Sequence, residues 1–453
     1  MATSRSVAED LAERVARIEA RHLPAGVRDT CERLLLDVIG LCVAARGTDY
    51  VTAARAAWPD AGPASVIGFG DKRSGAAAAF INGTAAHGED FDDTFEGGPV
   101  HAGAVVVPAV LAAAEQEGLQ GPAALIGIAV GAEVVCRLSL VVPKAVHKAG
   151  FHPTAVFGAI GAAAGVGAAL QLGHRQLVDA MGVAGSMASG IIEYLADGSW
   201  TKRMHPGWAA QSGLRAALLG RAGFTGPRTV FEGVHGLFHG FAHTRDGNYG
   251  ALLDGFGERW LMQTLAFKPY PCGTMVHPYL DCARRLHGRI CPDEVVELVC
   301  EVGEGTVHRL WEPLAEKRRP PNGYAAKFST PHGIAVGIVK GDVGLDAFTD
   351  AAVGDPAVRA LAAKVRYEID PANPYPNAYT GHIRARLRDG RIVEERQPHL
   401  RGGAREPLSR AELEAKAASN LRSGGWTETQ TEPALALARR LWDGPVDLAF
   451  LRM

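Results

Sequence analysis

Residues 82–101, NGTAAHGEDFDDTFEGGPVH, concentrate side chains that can transfer protons. Apolar sequence on both sides, AAAAFI before it and AGAVVVPAVLAAA after it, predicts two buried helices that flank this segment. Acids and histidines cost free energy to bury unless they are paired or used. Because Phe91 and Phe95 stand among the acids, we favour a buried reaction centre over a solvated loop. The polar side chains concerned are His87, Asp90, Asp92, Asp93, Thr94, Glu96 and His101.

Three further segments contain residues capable of chemistry. His152 lies in GFHPT, just before a Gly/Ala-rich run, where a lone histidine is more often a cap or a satisfied core group. Lys202 and Arg203 lie between two tryptophans and could bind a carboxylate, although a basic surface turn explains them equally well. Lys268 lies in FKPYPCG, where the composition of the chain changes; interdomain clefts favour ligands, but a structural crossover also explains the prolines.

A metal site is the weaker interpretation of the acidic segment. His87 and Asp90 are three residues apart and could share a helical face, with Asp92 as a third ligand. No further ligand set is visible in the sequence, so the metal site is a weak hypothesis.

Composition excludes several classes of function. The 453 residues include 47 basic and 49 acidic side chains, so we expect no nucleic-acid partner. Seven scattered cysteines without a CxxC pair predict reduced thiols and a cytoplasmic protein. The N-terminal segment has acids and no apolar core, which predicts an amphipathic helix and not a signal peptide. The uncharged run 153–172 is mostly Ala and Gly, and we interpret it as a buried helix of a soluble bundle rather than a membrane span.

The pattern of apolar residues changes along the chain. Up to about residue 265 it has helical spacing, as in 31–45, 121–142, 174–192 and 209–224. Beyond that, 295–302 reads as a strand and 381–397 as a hairpin turning at Asp389-Gly390. Ser409 and Glu412 then form a predicted capping box before a final helical pair. We therefore predict a mainly α protein: an all-helical domain (1–265, completed by 402–453) and a smaller α+β lid (266–401).

Taken together, the chain resembles the MmgE/PrpD family, which includes 2-methylcitrate dehydratases, cis-aconitate decarboxylases and iminodisuccinate epimerases. The resemblance covers most of the chain in the family's order, and ADGSWTKRMHPGWAA together with DFDDT is its most specific part. Its other markers are GFHPT, GFTGPRTVFEG, FKPYPCG and KFSTPHGIAVGI. It implies a helical domain with an α+β lid, a homodimer, and an active site between the domains that needs no metal or organic cofactor.

The resemblance also implies site residues, by motif. The catalytic positions are Asp90 (DFDDT), His101 in the following loop, His152 (GFHP) and Lys202 (TK-x-x-H). Thr94 and Lys268 match substrate-binding positions in the same way. We add Arg203, which lies beside Lys202 and could bind a carboxylate, and His332, at the lid position, as further substrate-binding candidates. Decarboxylases carry a His where this chain has Gly273 and a Tyr where it has His332, and the loop before His101 is one residue longer here. The resemblance therefore implies a lyase or isomerase without fixing the reaction.

The shared chemistry is stabilisation of negative charge next to a carboxylate, followed by proton transfer at adjacent carbons. Loss of water gives a dehydratase, loss of CO₂ a decarboxylase, and reprotonation on the other face an epimerase. We predict a 2-methylcitrate dehydratase-like hydro-lyase acting on a small di- or tricarboxylate, with the decarboxylase and the epimerase as alternatives. A catalytically silent helical scaffold is disfavoured because the set of titratable groups is complete.

Overall fold

The computed structural model describes residues 5–452, which fall into two compact units. The first unit contains residues 5–88, 92–265 and 409–452, and the second contains 89–91 and 266–408. Helices predominate and the largest sheet lies in the second unit, so the predicted fold class, including the C-terminal return, is confirmed. Residues 89–91 and 402–408 belong to the second unit, whereas the sequence assigned both segments to the helical domain.

The first unit is built from α-helices of four to 21 residues. In chain order they are Val7–Ala16, Ala25–Ala45, Asp49–Ala57, Gly75–His87, Gly103–Glu117, Gly121–Leu138, Ala145–Lys148, Pro153–Ala169, His174–Met187, Tyr194–Asp197, Thr201–Arg221, Leu237–Ala242, Gly250–Leu253, Arg410–Ser423 and Glu428–Arg440. Short 3-10 helices occur at Ala20–His22, Leu261–Thr264, Leu441–Asp443 and Ala449–Leu451. The short strands Ala64–Ser65 and Lys72–Arg73 pair antiparallel.

Local sequence signals account for several helix starts. Ser74 accepts a hydrogen bond from the Ala77 N–H and begins the helix that ends at His87. The predicted capping box is confirmed, since Ser409 accepts from the Glu412 N–H and Glu412 accepts from the Ser409 N–H. Val7–Ala16 buries Leu11 and Val15, as the amphipathic interpretation predicts.

The Gly/Ala-rich helix Pro153–Ala169 is buried along its whole length, which confirms that interpretation of its sequence. Within residues 5–452, one helix, Gly121–Leu138, is long and apolar enough to cross a membrane by length and composition alone. It is 89% buried inside the molecule, as a core helix of a soluble protein would be, so it is weak support for a membrane span.

The second unit places helices against a four-stranded sheet. The strand order is Val365–Ile369, Val295–Val302, Gly381–Leu387, Ile392–Gln397; the first pair is parallel and the other two are antiparallel. The strand at 295–302 and the hairpin at 381–397 are therefore confirmed. The α-helices are His277–Leu286, Glu304–Leu310, Leu314–Arg318, Gly323–Ala326, Thr330–Lys340, Asp350–Val353 and Pro356–Ala362. Apolar residues from both layers, among them Leu280, Leu298 and Ile334, form its core.

Candidate active site

The acidic segment is buried, so the alternative of a solvated loop is wrong. Residues 90–95 all have buried side chains, and the flanking helices Gly75–His87 and Gly103–Glu117 are buried over most of their lengths. Asp93 shows one reason for the burial: its two carboxylate oxygens accept the N–H groups of Ala102 (3.0 Å) and Gly103 (2.9 Å). It thereby satisfies donors at the start of the following helix. Burial, followed by the neighbouring charge of Asp92, raises the pKa of Asp93 well above its usual value.

A close helix crossing positions the site in the first unit. A Cβ on Gly207 would lie 2.1 Å from the carbonyl oxygen of Phe80, and a Cβ on Gly83 would lie 2.7 Å from the Gly207 Cα. Neither contact is sterically possible, so these two glycines allow helices Gly75–His87 and Thr201–Arg221 to approach. The approach brings the end of one helix, at His87, towards the first turns of the other, which carry Lys202 and His205.

His87 and Asp92 form a buried hydrogen-bonded pair. His87 Nδ1 lies 2.7 Å from Asp92 Oδ2, and the two side chains are 1% and 0% exposed. The other ring nitrogen, Nε2, is also buried and has no hydrogen-bond partner among residues 5–452. A carboxylate at Nδ1 favours the tautomer with the proton on that nitrogen, which leaves the lone pair on Nε2. A buried acceptor without a hydrogen-bond donor costs free energy unless a ligand supplies the donor.

His101 lies beside this pair. Its Nδ1 is 2.7 Å from the Asp93 carbonyl oxygen and 3.5 Å from Asp92 Oδ2, and its ring centroid is 4.8 Å from that of His87. The His101 N–H donates to Thr154 Oγ1 at 3.2 Å. The loop that precedes helix Gly103–Glu117 is thus fixed at both its backbone and its imidazole.

His152 pairs with a histidine that the sequence did not single out. It is the N-cap residue of helix Pro153–Ala169, yet its side chain makes no capping hydrogen bond. Its Nδ1 instead lies 3.1 Å from Nδ1 of His205, so one ring must donate and the other accept. His152 is therefore not a side-chain cap, but as a buried, hydrogen-bonded imidazole it fits the alternative expectation of a satisfied core group, and its catalytic role stays a prediction. The ring centroids of His87 and His152 are 5.8 Å apart, which places all four imidazoles in one cluster.

The environment keeps this second pair neutral. Burial lowers the pKa of His152 well below its ordinary value, and the charges of His205, His87, Lys202 and His101 lower it further. Burial, followed by the charges of His87 and Lys202, lowers the pKa of His205 to about 4. Two neutral imidazoles in hydrogen-bond contact can accept a proton once a ligand supplies negative charge.

Lys202 and Arg203 lie in the first turn of helix Thr201–Arg221 and are partly buried. The positive charge of Lys202 acts on both His152 and His205, so the ammonium belongs to the electrostatics of the cluster. The Arg203 guanidinium lies over the Tyr50 ring, 4.5 Å from its centroid. Thr94 is buried in the short strand Thr94–Phe95. Substrate binding by Arg203 and Thr94 stays a prediction.

In the second unit Asp90 is paired with Lys268. The Lys268 ammonium donates to Asp90 Oδ1 at 2.8 Å and to the Asp90 carbonyl oxygen at 3.0 Å, and both side chains are buried. The neighbouring Lys327 bonds Glu89 in the same manner, through its carboxylate (2.9 Å) and its carbonyl (2.7 Å). Asp90 adopts φ +57°, a conformation that non-glycine residues rarely take and that persists where contacts enforce it. An acid–base role for Asp90 stays a prediction.

The remaining predicted residue, His332, is buried at the start of helix Thr330–Lys340. Its Nε2 lies 3.3 Å from the Ala347 carbonyl oxygen, and burial lowers its pKa. Gly273 precedes the 3-10 turn Thr274–Val276, and its N–H donates to the Lys327 carbonyl oxygen at 2.9 Å. A substrate-binding role for His332 stays a prediction.

A metal ion has one candidate donor set in the described part of the chain: His87, Asp92 and His101 offer ligand atoms within 4.8 Å of one another. Asp90, which the sequence suggested as a ligand, is absent from that set and pairs with Lys268. His87 and Asp92 are joined without an ion by the 2.7 Å hydrogen bond between Nδ1 and Oδ2, which leaves His87 Nε2 as the ring nitrogen without a hydrogen-bond partner in residues 5–452. The geometry is that of a histidine–aspartate dyad.

The sequence did not select His87, Asp92 or His205 as catalytic or substrate-binding residues, although it named His87 and Asp92 within the acidic segment and as candidate metal ligands. All three occur in segments that were singled out, but spacing alone does not show which of three aspartates meets an imidazole. His205 follows Lys202 by three residues, so the two share a helical face, and that spacing was an available signal.

A helical protein with four clustered histidines, a buried aspartate and an adjacent lysine has the groups needed for proton transfer on an anionic substrate. Comparison with known proteins identifies its family. Residues 9–249 match the MmgE/PrpD N-terminal domain, and residues 270–441 match the MmgE/PrpD C-terminal domain. The chain belongs to the MmgE/PrpD family.

Curated relatives include cis-aconitate decarboxylases. The chain is 28% identical to the one from Mus musculus over 431 residues, which cover 92% of this chain and 87% of the relative. It is 28% identical to the one from Homo sapiens, with 92% and 88% covered, and 27% identical to the one from Aspergillus terreus, with 89% and 86% covered. Family and relatives together support an enzyme of the lyase type. They do not support 2-methylcitrate dehydration in particular.

Proposed function

We propose that this protein is a lyase that acts on a small di- or tricarboxylate and that its buried histidine cluster transfers the proton. The observation that carries the proposal is the His87–Asp92 dyad, whose Nε2 is buried without a hydrogen-bond partner in residues 5–452. An aspartate that fixes the tautomer and a ring nitrogen kept open are what a general base requires.

The second histidine pair supports an anionic substrate. His152 and His205 are neutral because burial and nearby positive charge lower their pKa values. A bound polycarboxylate would reverse the electrostatic part of that effect, since negative charge favours the protonated imidazole. The pair would then hold a proton at the moment a carbanionic centre needs one, while Lys202 holds a substrate carboxylate.

The leaving group has two candidates. Loss of CO₂ is supported by the similarity to cis-aconitate decarboxylases over most of both chains. Loss of water from a hydroxy tricarboxylate such as 2-methylcitrate is the second candidate. Gly273 and His332 depart from the decarboxylase pattern, which weighs against decarboxylation without identifying another substrate. In decarboxylation the electron pair of the broken C–C bond is stabilised next to a carboxylate until that carbon takes up a proton. In dehydration a base first removes the C–H proton, the electron pair left behind is stabilised in the same way, and it forms the C=C bond as the hydroxyl group is protonated and leaves as water.

Asp90 enters the proposal as an acid–base candidate whose carboxylate is occupied by Lys268. Asp90→Asn therefore removes either a base or the partner that holds the ammonium. Loss of substrate proton exchange per folded molecule, whatever the change in melting temperature, indicates the base. A lowered melting temperature with residual activity per folded molecule near that of the wild type indicates a purely structural pair.

The direct test is a substrate panel in deuterated water followed by NMR. Citrate, 2-methylcitrate, cis-aconitate and iminodisuccinate are each incubated with the enzyme, with and without a chelator. Loss of CO₂, loss of water and deuterium incorporation at one carbon are distinguishable. Conversion that disappears with the chelator would contradict the metal-free dyad. No conversion and no exchange with any of the four would contradict the proposal.

The variant His87→Asn tests the dyad itself. Asparagine can keep a hydrogen bond to Asp92 near the position of Nδ1 but has no atom at Nε2. We expect turnover to fall by about 10²–10⁴-fold while the melting temperature is kept. The exposed histidine His239, changed in the same way, is the matched control. Equal activities of the two variants would remove His87 from the mechanism.

A further inference from the structure

A polar cleft with a volume of about 400 Å³ opens in the second unit, outside every residue used by the proposed reaction. Its lining residues are Asp281, Arg284, Arg285, Gly341, Arg401 and Glu406, and we call it the arginine cleft. Three guanidinium groups line one small space together with two carboxylates. The contacts of each arginine show which guanidinium groups already have a carboxylate partner.

Arg284 is held in place without a carboxylate partner. Its Nε donates to the Gly341 carbonyl oxygen at 2.9 Å and its Nη1 to the Tyr270 hydroxyl at 3.1 Å. Among residues 5–452 no acidic group lies within ion-pair distance of Arg284, and no acceptor meets its Nη2. A fixed guanidinium with an open donor loses little side-chain entropy when it binds an anion.

The tyrosine that holds Arg284 is itself engaged. Tyr270 donates its hydroxyl hydrogen to Asp281 Oδ1 at 2.6 Å. The same carboxylate oxygen lies 3.8 Å from Nη1 of Arg401, too far for a hydrogen bond. Oδ1 of Asp281 thus contacts both the phenol and Arg401, whereas its Oδ2 is buried without a hydrogen-bond partner in residues 5–452.

The other two arginines add positive charge. Arg285 is fixed by Glu395 (2.8 Å), Gln397 (2.8 Å) and the Arg396 carbonyl oxygen (2.9 Å). Arg401 and Arg284 are close enough for their like charges to act on each other. An anion bound between Arg284 and Arg401 would offset the repulsion between their positive charges. It would also accept a hydrogen bond from Nη2 of Arg284.

We propose that the arginine cleft binds a small oxyanion, carboxylate or phosphate in kind, as a site separate from the histidine cluster. Guanidinium forks match the planar carboxylate and the tetrahedral phosphate, and the cleft volume is that of a small-molecule site. The inference rests on the second unit alone and holds whatever reaction the histidine cluster performs.

The test is calorimetric titration of the full-length protein with inorganic phosphate and, separately, with citrate, at constant ionic strength in chloride. We expect saturable one-site binding of phosphate, of citrate at a site that does not depend on Lys202, or of both. The anion that binds shows whether the cleft recognises phosphate or carboxylate groups. Arg284→Gln and Arg401→Gln should each weaken that binding by about tenfold or more. Lys202→Ala should leave it unchanged, which separates the cleft from the proposed active site.

The matched control is Arg388→Gln, the same charge change at an exposed arginine of the second unit that does not line the cleft. Near-ultraviolet circular dichroism checks the fold of each variant, and if Arg284→Gln is misfolded, Arg401→Gln decides. Equal weakening by Arg388→Gln, affinities unchanged in both cleft variants, or no saturable binding of either anion would overturn the proposal.

Discussion

Acidification from about pH 7 to about pH 5.5 should destabilise the wild-type protein more than a His205→Gln variant. The pKa of His205 is lowered from 6.5 to about 4, first by burial and then by the charges of His87 and Lys202. The unfolded chain takes up a proton on this imidazole near pH 6.5, whereas the folded protein does not until about pH 4. Stability from this group is therefore present above the unfolded pKa and is lost as the pH falls.

The size of the effect follows from the two pKa values. One proton taken up only by the unfolded state changes the free energy of unfolding by about 1.4 kcal/mol per pH unit. Between about pH 7 and about pH 5.5 the unfolded imidazole goes from mostly neutral to mostly charged, which integrates to about 1.2 kcal/mol. The pKa of His152 is shifted in the same direction, so the wild-type protein should lose more than this amount.

The assay is equilibrium urea unfolding at both pH values and constant ionic strength, followed by tryptophan fluorescence and far-ultraviolet circular dichroism. Because the chain has two compact units, each curve is fitted with two transitions, and the change should appear in the transition of the first unit. His205→Gln should lose about 1.2 kcal/mol less than the wild type, whereas the exposed-site control His239→Gln should follow the wild type. Parallel pH dependences for wild type and His205→Gln would refute the neutral-pair reasoning and the base chemistry built on it.

Three further outcomes can be measured. Lys202→Ala should remove a contact to a substrate carboxylate that is worth roughly 2–5 kcal/mol, and Lys202→Arg should restore it only in part; full restoration by Arg in steady-state kinetics would contradict the point-charge role. Asp90→Asn and Lys268→Met should each lower the free energy of unfolding by about 3–5 kcal/mol, because each change leaves a buried charge without its partner. In urea unfolding the double variant should lose far less than the sum of the two, and additive losses would show that the pair is not coupled. We expect a homodimer formed through the first unit, where Ile191 and Leu195 are 60% and 58% exposed; light scattering that shows a monomer at micromolar concentration would contradict it.

Much of the fold could be predicted from the sequence because its signals are local. The Asp389-Gly390 turn, the Ser409 capping box and the alternation in 381–397 are each encoded within a few residues, and each was confirmed. The buried helix at 153–169 likewise follows from composition. Helix ends were less certain, since the apolar pattern in 174–192 continues past the helix, which ends at Met187.

The site could be predicted only as a set of segments. The sequence placed candidate catalytic residues in 82–101, at His152 and around Lys202. The structure brings His101, His152 and Lys202 together in the histidine cluster. The pairings were not predictable, because His152 meets His205 across 53 residues and Lys268 meets Asp90 across 178. Such contacts depend on how helices cross, which a single sequence does not encode locally.

The three aspartates of DFDD show why residue type and spacing were insufficient. Asp90 adopts a positive φ and turns towards Lys268, Asp92 accepts from His87, and Asp93 caps the helix that begins at Gly103. One backbone reversal in this short segment thus sends three identical side chains to three different partners. Asp92 is the one that contacts the imidazole whose Nε2 has no partner in residues 5–452, so the proposed acid–base chemistry depends on it most directly. The Asp90 carboxylate pairs with Lys268 instead, so its proposed acid–base role requires that substrate binding release it.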